Sequence, residues 1–586
     1  MADFIRLLPD SIANQIAAGE VVQRPSSCIK ELMENAVDAG ATRIQVVVRE
    51  AGKQFIQIID DGKGMSAADA RMCIERHATS KISKAEDLFS LRTMGFRGEA
   101  LASIAAVAQM EIKTRQHADE VGNCLVVEGS VIKKQEPEAC PPGTSITVRN
   151  LFYNIPARRN FLKGNPVELR HIIEEFIHLA LAHPQLSFLL VNGDEVVYDL
   201  TPGKLSQRIV ALFGKNYQQQ LAAIHEEAAG IKVTGYIGRP ELAKRTRSEQ
   251  YFFVNNRYIR NNYLHYAVMN GFEGLLQEGS FPFYTIFIEI DPAQIDVNVH
   301  PTKTEIKFTD DRAIYTILRV AVKHALGLNQ LAPAIDFSAN INLMDEIQQD
   351  SSAVSKAFLY EQAGFRRDPN TDKWQSLFEA SSNAQAASIP AMFPSEPTRD
   401  QVFAPRLLFQ FQNRFLVREV SQGLMIIDQQ AASERVLFDR FNRSLSGNSQ
   451  KLLFPITLEL SASDFTLLSG MMEELTRLGF ELEVFGKNAF LLTGIPQEVS
   501  GNEKQIIEDL LEQFKMNQQD LKIAVFENLA RCLASRGSVK RGQVLSREQQ
   551  EALVAGLFSS STPSLTPDGR ATFFIFESGQ MDRYFA

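Results

Sequence analysis

Lys30-Glu31-Leu32-Met33-Glu34-Asn35-Ala36-Val37-Asp38-Ala39-Gly40 is the stretch on which the reading of this chain turns. At about 100° per residue, a helix places Glu31, Asn35 and Asp38 within a stripe about 60° wide, with Leu32, Ala36 and Ala39 beside it. Pro25 suits the first helical turn, where no N–H is needed, and Gly40 suits a left-handed cap. A carboxylate, an amide and a second carboxylate therefore converge. Two readings stand for such a face. One is the solvated side of an amphipathic helix; the other is an amide oxygen, Asn35, that holds Mg2+ while Glu31, one turn away, orients a water.

The neighbouring sequence favours the second. Residues 43–49 and 54–60 read as β-strands joined by the short turn Glu50-Ala51-Gly52-Lys53, and the second strand delivers Asp60 to the loop Asp61-Gly62-Lys63-Gly64. Asp60 suits acceptance of a hydrogen bond from an exocyclic amine, and Gly62 and Gly64 leave backbone accessible to a planar ring or phosphates. An ordinary turn explains a lone DxGxG equally well. Further on, Gly95 and Gly98 precede a small-residue helix at 102–108, an arrangement that receives an anionic phosphate on backbone N–H groups. Thr79, Lys81 and Arg97 add charge-assisted donors, whereas His77 reads as a structural hydrogen-bonder.

Taken together, residues 13–22, the Glu31/Asn35/Asp38 helix, residues 76–82 and residues 95–103 resemble the MutL family of DNA mismatch-repair proteins. The resemblance runs without an evident gap from about residue 7 to 308. It implies an α/β (α+β) fold class: a GHKL-type ATPase sandwich of the gyrase, Hsp90 and histidine-kinase kind at 1–200 and a ribosomal S5-like transducer at 201–330. A flexible linker at 331–404 and an α/β dimerisation domain at 405–586 complete the expected order. Its cofactors are ATP and Mg2+. Glu31 becomes the general base, Asn35 the Mg2+ ligand, Asp38 its neighbour in the site, and Asp60, with Gly62 and Gly64, the adenine reader supported by Thr144. Gly95, Phe96, Arg97, Gly98, Glu99, Ala100 and Leu101 form the phosphate lid, beside Thr79, Ser80 and Lys81. Lys303 matches the family lysine that reaches the γ-phosphate; Thr302 beside it stands where alanine is common.

Residues 151–161 match a further family signature at the hinge towards the transducer, whose strands are expected at 231–237, 251–254 and 284–290. Basic residues gather there: Arg158, Arg159 and Lys163; Lys244, Arg245 and Arg247; Arg257 and Arg260. With no base-reading motif, they suit salt-sensitive, sequence-independent phosphate contacts or simply a solvated surface. The family places DNA contacts at Arg257 and Arg260. A net charge of −9 argues against a protein coated in positive charge.

Between 331 and 404 periodicity fades and Ser, Ala, Asn, Gln and Pro accumulate, the composition of a linker. Strands at 406–411, 414–419 and 423–428 and a helix at 429–442 open the last region. Gln450-Lys451-Leu452-Leu453-Phe454-Pro455 fits the family's sliding-clamp-binding pattern through Gln450, Leu452, Leu453 and Pro455; an edge strand ending at Pro455 is the alternative.

Many family members carry a metal-dependent endonuclease here, opening with DQHAxxExxxxE. This chain has Gln430 in place of the histidine and Asp439 in place of the final glutamate, and Thr566-Pro567-Asp568-Gly569-Arg570-Ala571 replaces Cys-Pro-His-Gly-Arg-Pro. All nine histidines lie at or before His324, and Cys532 is the sole cysteine after Cys140, so ligands for a borderline metal are missing. Asp428, Glu434, Asp439 and Asp568 remain as hard donors. The expectation is no intrinsic nicking.

A length of 586 residues with 45 % hydrophobic and 22 % charged content indicates several soluble domains. Five cysteines without CxxC spacing suit a reducing compartment, and no stretch reads as a signal peptide or membrane span, so a cytoplasmic protein, nucleoid-associated during repair, is expected. The resemblance implies as partners a MutS-type mismatch sensor, DNA, a sliding clamp, a separate nicking endonuclease, a helicase and a second copy of the chain. A scaffold with a vestigial nucleotide site and a topoisomerase-type ATPase are the competing classes. The intact Glu31, Asn35, Asp60, Gly98 and Lys303 set opposes the first, and residues 151–161 and 450–455 oppose the second.

Overall fold

The computed structural model describes residues 10–81, 94, 95, 98–244, 247–277, 279–296, 306–328, 408–421, 423–443, 449–486, 488–497, 499, 503–520 and 525–585. The expected linker at 331–404 lies outside them. Helix α1 (Asp10–Val21) leads into α2 (Pro25–Asp38), which begins at Pro25 after an extended Arg24, as the sequence predicts. Gly40, at φ +74°, ends it: its N–H bonds the Val37 carbonyl, and Ala41 N–H bonds back to Ala36, the double bond pattern that satisfies a helix C-terminus.

Strands β1 (Arg43–Arg49) and β2 (Phe55–Asp60) pair antiparallel, as predicted. They sit inside an eight-stranded sheet with β3 (Gln109–Arg115), β4 (Gly122–Glu128), β5 (Val131–Glu138), β6 (Gly143–Arg149), β7 (Ser187–Asn192) and β8 (Glu195–Leu200), in the order β5-β4-β3-β6-β2-β1-β7-β8. Within this sheet, among the described residues, only β1 and β7 pair parallel, which requires a crossover. Among the helices between β2 and β7 are α3 (Ala67–Met72), α4 (Ala100–Val107), α5 (Pro156–Phe161) and α6 (Asn165–Ala182).

Alternation along the strands puts Ile44, Val46, Val48, Ile56, Ile58, Met110 and Ile112 on one buried face. Ile29, Leu32 and Met33 of α2, Ile104 and Ala105 of α4, and Ile172, Phe176 and Ile177 of α6 cover it. Each such side chain contributes about 1.5–3 kcal/mol through burial, so α2 is anchored by its apolar side while its polar stripe faces outward. Glu31, Asn35 and Asp38 are only partly buried.

A second, five-stranded sheet comprises β9 (Leu221–Ala228), β10 (Ile231–Gly238), β11 (Gln250–Val254), β12 (Arg257–Ile259) and β13 (Tyr284–Glu289), ordered β12-β11-β13-β10-β9. The three strands expected from the sequence fall on β10, β11 and β13. Helices at Asn262–Gly271 and Asp311–Leu328 bury Leu264, Val268, Leu318 and Val322 against Val233, Phe252, Ile286 and Ile288. The other sheet face, through Tyr251, Phe253 and Phe283, joins the first core.

The last region opens with the predicted strands, observed at Leu408–Phe411, Phe415–Val420 and Gly423–Asp428, and the helix Gln429–Arg443. Strand Phe573–Glu577 adds to the edge of Gly423–Asp428, a pairing across more than 140 residues that no local pattern announces. A three-stranded sheet, Ser449–Glu459, Ala489–Pro496 and Glu481–Val484, follows a separate core. No helix among the described residues is long and apolar enough to cross a membrane.

Candidate functional site

The outward stripe of α2 meets the chain segments around residues 81 and 95. Lys81 Nζ donates to Asp38 Oδ2 at 2.6 Å and to Asn35 Oδ1 at 3.0 Å. The same Asp38 carboxylate accepts the backbone N–H groups of Met94, at 3.0 Å, and Gly95, at 3.1 Å. A Cβ at Gly95 would stand 3.0 Å from the Lys81 ammonium, so a glycine fits here without moving the cation. Asn35 and Asp38 thus already hold one cation between them, in a setting where oxygen donors converge. That donor set fits a hard cation such as Mg2+.

At the end of β2, Asp60 Oδ1 accepts the Gly62 N–H at 2.9 Å. Burial pushes its carboxyl up to about 6, with backbone N–H groups of Gly62 and Thr144 opposing the rise. Thr144, opposite Asp60 on β6, shares a 3.1 Å hydrogen bond with Thr114, whose hydroxyl also donates to Gly143 carbonyl and accepts from Met65 N–H. Thr114 was not singled out from the sequence. The sequence signal for it is its place in the Met110, Ile112, Thr114 alternation of β3, which the structure turns inward and buries. Gly62 and Gly64 also serve the fold itself, since side chains there would press on Ala39 and on the Arg115 carbonyl.

Thr79, Ser80, Gly95, Gly98, Glu99, Ala100 and Leu101 line one open cavity of about 2380 Å³ together with Glu31, Asn35, Asp38, Asp60, Gly64, Lys81 and Thr144. Gly98 is held at φ +61° with the Ala78 carbonyl 2.4 Å from where a Cβ would lie, so only glycine fits there. Among the described residues, the N-cap Glu99 makes no side-chain bond to the first turn of α4, whose Ala100 and Leu101 line the cavity. His77, with its N–H on the Gly98 carbonyl and an exposed ring, is a structural element of that loop. Phe96, Arg97 and Lys303 lie outside the described residues.

The basic residues separate by environment. Arg159 and Arg260 are exposed, and Arg158 is half-buried against Gly19 of α1. Lys244 is committed to buried Glu249 at 2.7 Å, beside the Tyr217 hydroxyl. Arg245 lies outside the described residues, and Arg247 stacks over Phe281. Arg257 donates to the Met94 carbonyl at 2.7 Å.

Strand Ser449–Glu459 does not end at Pro455; it continues, with its register broken between Lys451 and Ile456. The break ejects the intervening residues, so that Leu453 is 87 % and Phe454 77 % exposed while Leu452 packs on the core beneath. Gln450 and Pro455 flank them at the surface.

Asp428, Glu434, Asp439 and Asp568, the hard donors left of the endonuclease pattern, each face an arginine. Glu434 pairs with Arg570 and accepts from Gln430; Asp439 binds Arg435 at 2.7 Å and the Ser561 N–H. Asp428 caps its helix through the N–H groups of Gln430 and Ala431 and faces Arg541 at 3.3 Å, and Asp568 faces Arg531 at 3.6 Å. Among the described residues no group of three or more His, Cys, Asp or Glu is placed to hold a metal.

The mixed sheet covered by α2, α4 and α6, with its cavity between α2, the Asp60 loop and the α4 N-terminus, defines an ATPase of the GHKL class. A model of the histidine kinase-, DNA gyrase B- and HSP90-like ATPases matches residues 23–152. Models of the DNA mismatch repair protein C-terminal domain and of the MutL C-terminal dimerisation domain match residues 209–327 and 408–545. The DNA mismatch repair proteins MutL of Flavobacterium psychrophilum and Christiangramia forsetii are each 42 % identical to this chain, with both chains covered in full. The Aquifex aeolicus MutL ATPase domain complexed with ADP is 26 % identical over 46 % of this chain and 94 % of that one, at a TM-score of 0.36. The chain belongs to the MutL family of DNA mismatch repair proteins.

Proposed function

We propose that this protein is an ATP-switched matchmaker of mismatch repair, coupling a MutS-type mismatch sensor to strand incision and excision carried out by a separate nicking endonuclease and a helicase. The observation that carries the nucleotide site is the knot of Asn35, Asp38, Lys81 and Gly95 on the wall that also presents Glu31, across one cavity from Asp60. In this reading Glu31 accepts a proton from the attacking water, Asn35 would hold Mg2+, Asp60 and Thr144 bind the adenine end, and residues 95–101 with Thr79, Ser80 and Lys81 enclose the phosphates. Lys303 reaches the γ-phosphate. Mg2+, when bound, neutralises phosphate charge. Phosphoryl transfer depends on positioning and charge stabilisation, so turnover is slow and binding does the signalling. Nucleotide orders the lid and brings two N-terminal domains together, the linkers close around DNA, and hydrolysis resets the chain.

The domain boundaries proposed are those at 200, 330 and 404. Arg158, Arg159, Arg257 and Arg260 supply phosphate contacts without base readout. The C-terminal domain joins two copies. No nicking is proposed for this chain, and the arginines support that reading: guanidinium groups bond Glu434, Asp439 and Asp428, and one lies within ion-pair distance of Asp568. The test measures ATP hydrolysis, DNA binding at low salt and nicking of supercoiled DNA with Mn2+ side by side on the full-length protein. Hydrolysis and DNA binding without nicking are expected; nicking would overturn the endonuclease-deficient reading, and absent hydrolysis would favour a scaffold.

The raised Asp60 carboxyl sets a pH dependence. Only the ionised form accepts hydrogen bonds on both oxygens, so ATP affinity rises with pH through about 6 and falls by up to about tenfold per unit below it. Asp60→Asn removes this dependence. A wild-type affinity that stays level between pH 5 and 7.5 would remove Asp60 from the adenine site.

The ejected Leu453 and Phe454 support the sliding-clamp reading, because an exposed apolar pair is presented where a partner's pocket gains its full burial. Gln450→Ala with Leu453→Ala is expected to weaken clamp binding about tenfold or more without loss of folding, since neither side chain is in the core. Retained clamp affinity in a surface-binding assay counts against it.

A further inference from the structure

We propose that Arg257 is a positioning residue for the nucleotide site, acting from the second domain on the backbone at the root of the lid. The proposal rests on the reading of Glu31, Asn35 and Asp38 as the nucleotide wall, and gives Arg257 a task separate from phosphate contact with DNA.

The geometry is continuous. Arg257 Nη2 donates to the Met94 carbonyl at 2.7 Å, and the N–H of the same residue donates to Asp38 Oδ1 at 3.0 Å. Gly95 N–H donates to the other Asp38 oxygen, which also binds Lys81, and Lys81 binds Asn35. Met94 is therefore gripped from both sides, by the nucleotide helix at its N–H and by the second sheet at its carbonyl. Met94 itself is buried, which makes the charge-assisted bond from a half-buried guanidinium worth more than an exposed one.

Arg257 is well placed to transmit position. It is the first residue of β12, paired with Val254 across the two-residue turn Asn255-Asn256. Both asparagines have positive φ, 48° and 64°, as a tight hairpin turn with matching twist requires. Asn255 is in turn locked onto Ile290 by two hydrogen bonds, Nδ2 to the carbonyl at 2.9 Å and Oδ1 from the N–H at 3.1 Å. The next residue, Tyr258, stacks on His178 of α6 at 3.6 Å. This short strand thus touches the ATPase domain at two places, so any displacement of residues 94–95 is felt by it. By reciprocity, whatever moves the hairpin biases the lid.

The test uses the full-length protein without DNA. Arg257→Ala is expected to raise the KM for ATP about tenfold, the loss of one charge-assisted hydrogen bond, with a smaller change in kcat. In the wild type nucleotide is expected to slow amide hydrogen exchange over residues 250–259, and the variant is expected to lose that response. A merely structural loss would lower the melting temperature without removing that nucleotide response. Arg257→Gln keeps an N–H donor without charge and recovers part of the KM, which keeps the test decisive should the alanine variant unfold. Lys232→Ala, which removes an exposed cation paired with Glu289 on the same sheet, leaves both readouts unchanged. Wild-type KM and wild-type exchange response in the Arg257 variants would overturn the proposal while Glu31→Ala still abolished turnover. Unchanged turnover in Glu31→Ala would instead overturn the reading of the site beneath it.

Discussion

Glu31→Ala is expected to lower ATP hydrolysis by about 10²- to 10⁴-fold while the protein still binds ATP. The expectation follows from position. Glu31 lies one turn before Asn35 on α2, partly buried at the cavity wall, while Leu32 and Met33 beside it fix the helix by burial. Removing the Glu31 carboxylate therefore disturbs neither the core nor the Asn35–Lys81–Asp38 knot, and nucleotide binding should persist. Single-turnover hydrolysis and equilibrium ATP binding, measured on the same preparation, separate the two. Glu34, by contrast, is buried and near Lys30 at 4.0 Å, so its loss should act on stability instead. Unaltered turnover in Glu31→Ala would sink the assignment of the base.

That helix was the most legible part of the molecule. Its period placed Glu31, Asn35 and Asp38 together, Pro25 and Gly40 marked its ends, and the structure shows all three signals realised. They are local, within one turn or one cap of each other. The β1–β2 hairpin and the first three strands of the last region were readable for the same reason. What the sequence did not disclose is non-local. Thr114 reaches Thr144 only because β3 and β6 are neighbours, Arg257 reaches Met94 only because two domains meet, and Arg570 reaches Glu434 from 136 positions away. The break in strand Ser449–Glu459 was also hidden, since Leu453 and Phe454 are ordinary strand residues in isolation. Their ejection depends on the register fixed at both ends by Ala489–Pro496.

Phe409→Asp combined with Phe574→Asp is expected to convert the protein from dimer to monomer at micromolar concentration, raising the dimer Kd by about 10³-fold or more. The sheet Leu408–Phe411, Phe415–Val420, Gly423–Asp428 and Phe573–Glu577 has one face in its own core, through Leu416, Met425 and Ile427. The register sets Phe409 opposite Val417, Phe411 opposite Phe415, Val417 opposite Ile426, and Ile426 opposite Phe574, so the other face is apolar across all four strands. On it Phe409, Phe411 and Phe574 are 43 %, 50 % and 56 % exposed. Contiguous apolar surface of this kind marks an interaction site, and we propose a second copy as its occupant, in keeping with the match of residues 408–545 to a dimerisation domain. In a two-fold interface each substitution counts twice, and four buried carboxylates would face one another without cations, so the penalty falls on association. Folding is spared because the phenylalanines point away from the monomer's core. Light scattering on the full-length protein reads the outcome directly. A variant that folds and stays dimeric would place the dimer contact elsewhere, whereas a monomer that still hydrolyses ATP would show that the α2 site is complete within one chain and that pairing serves the coupling step.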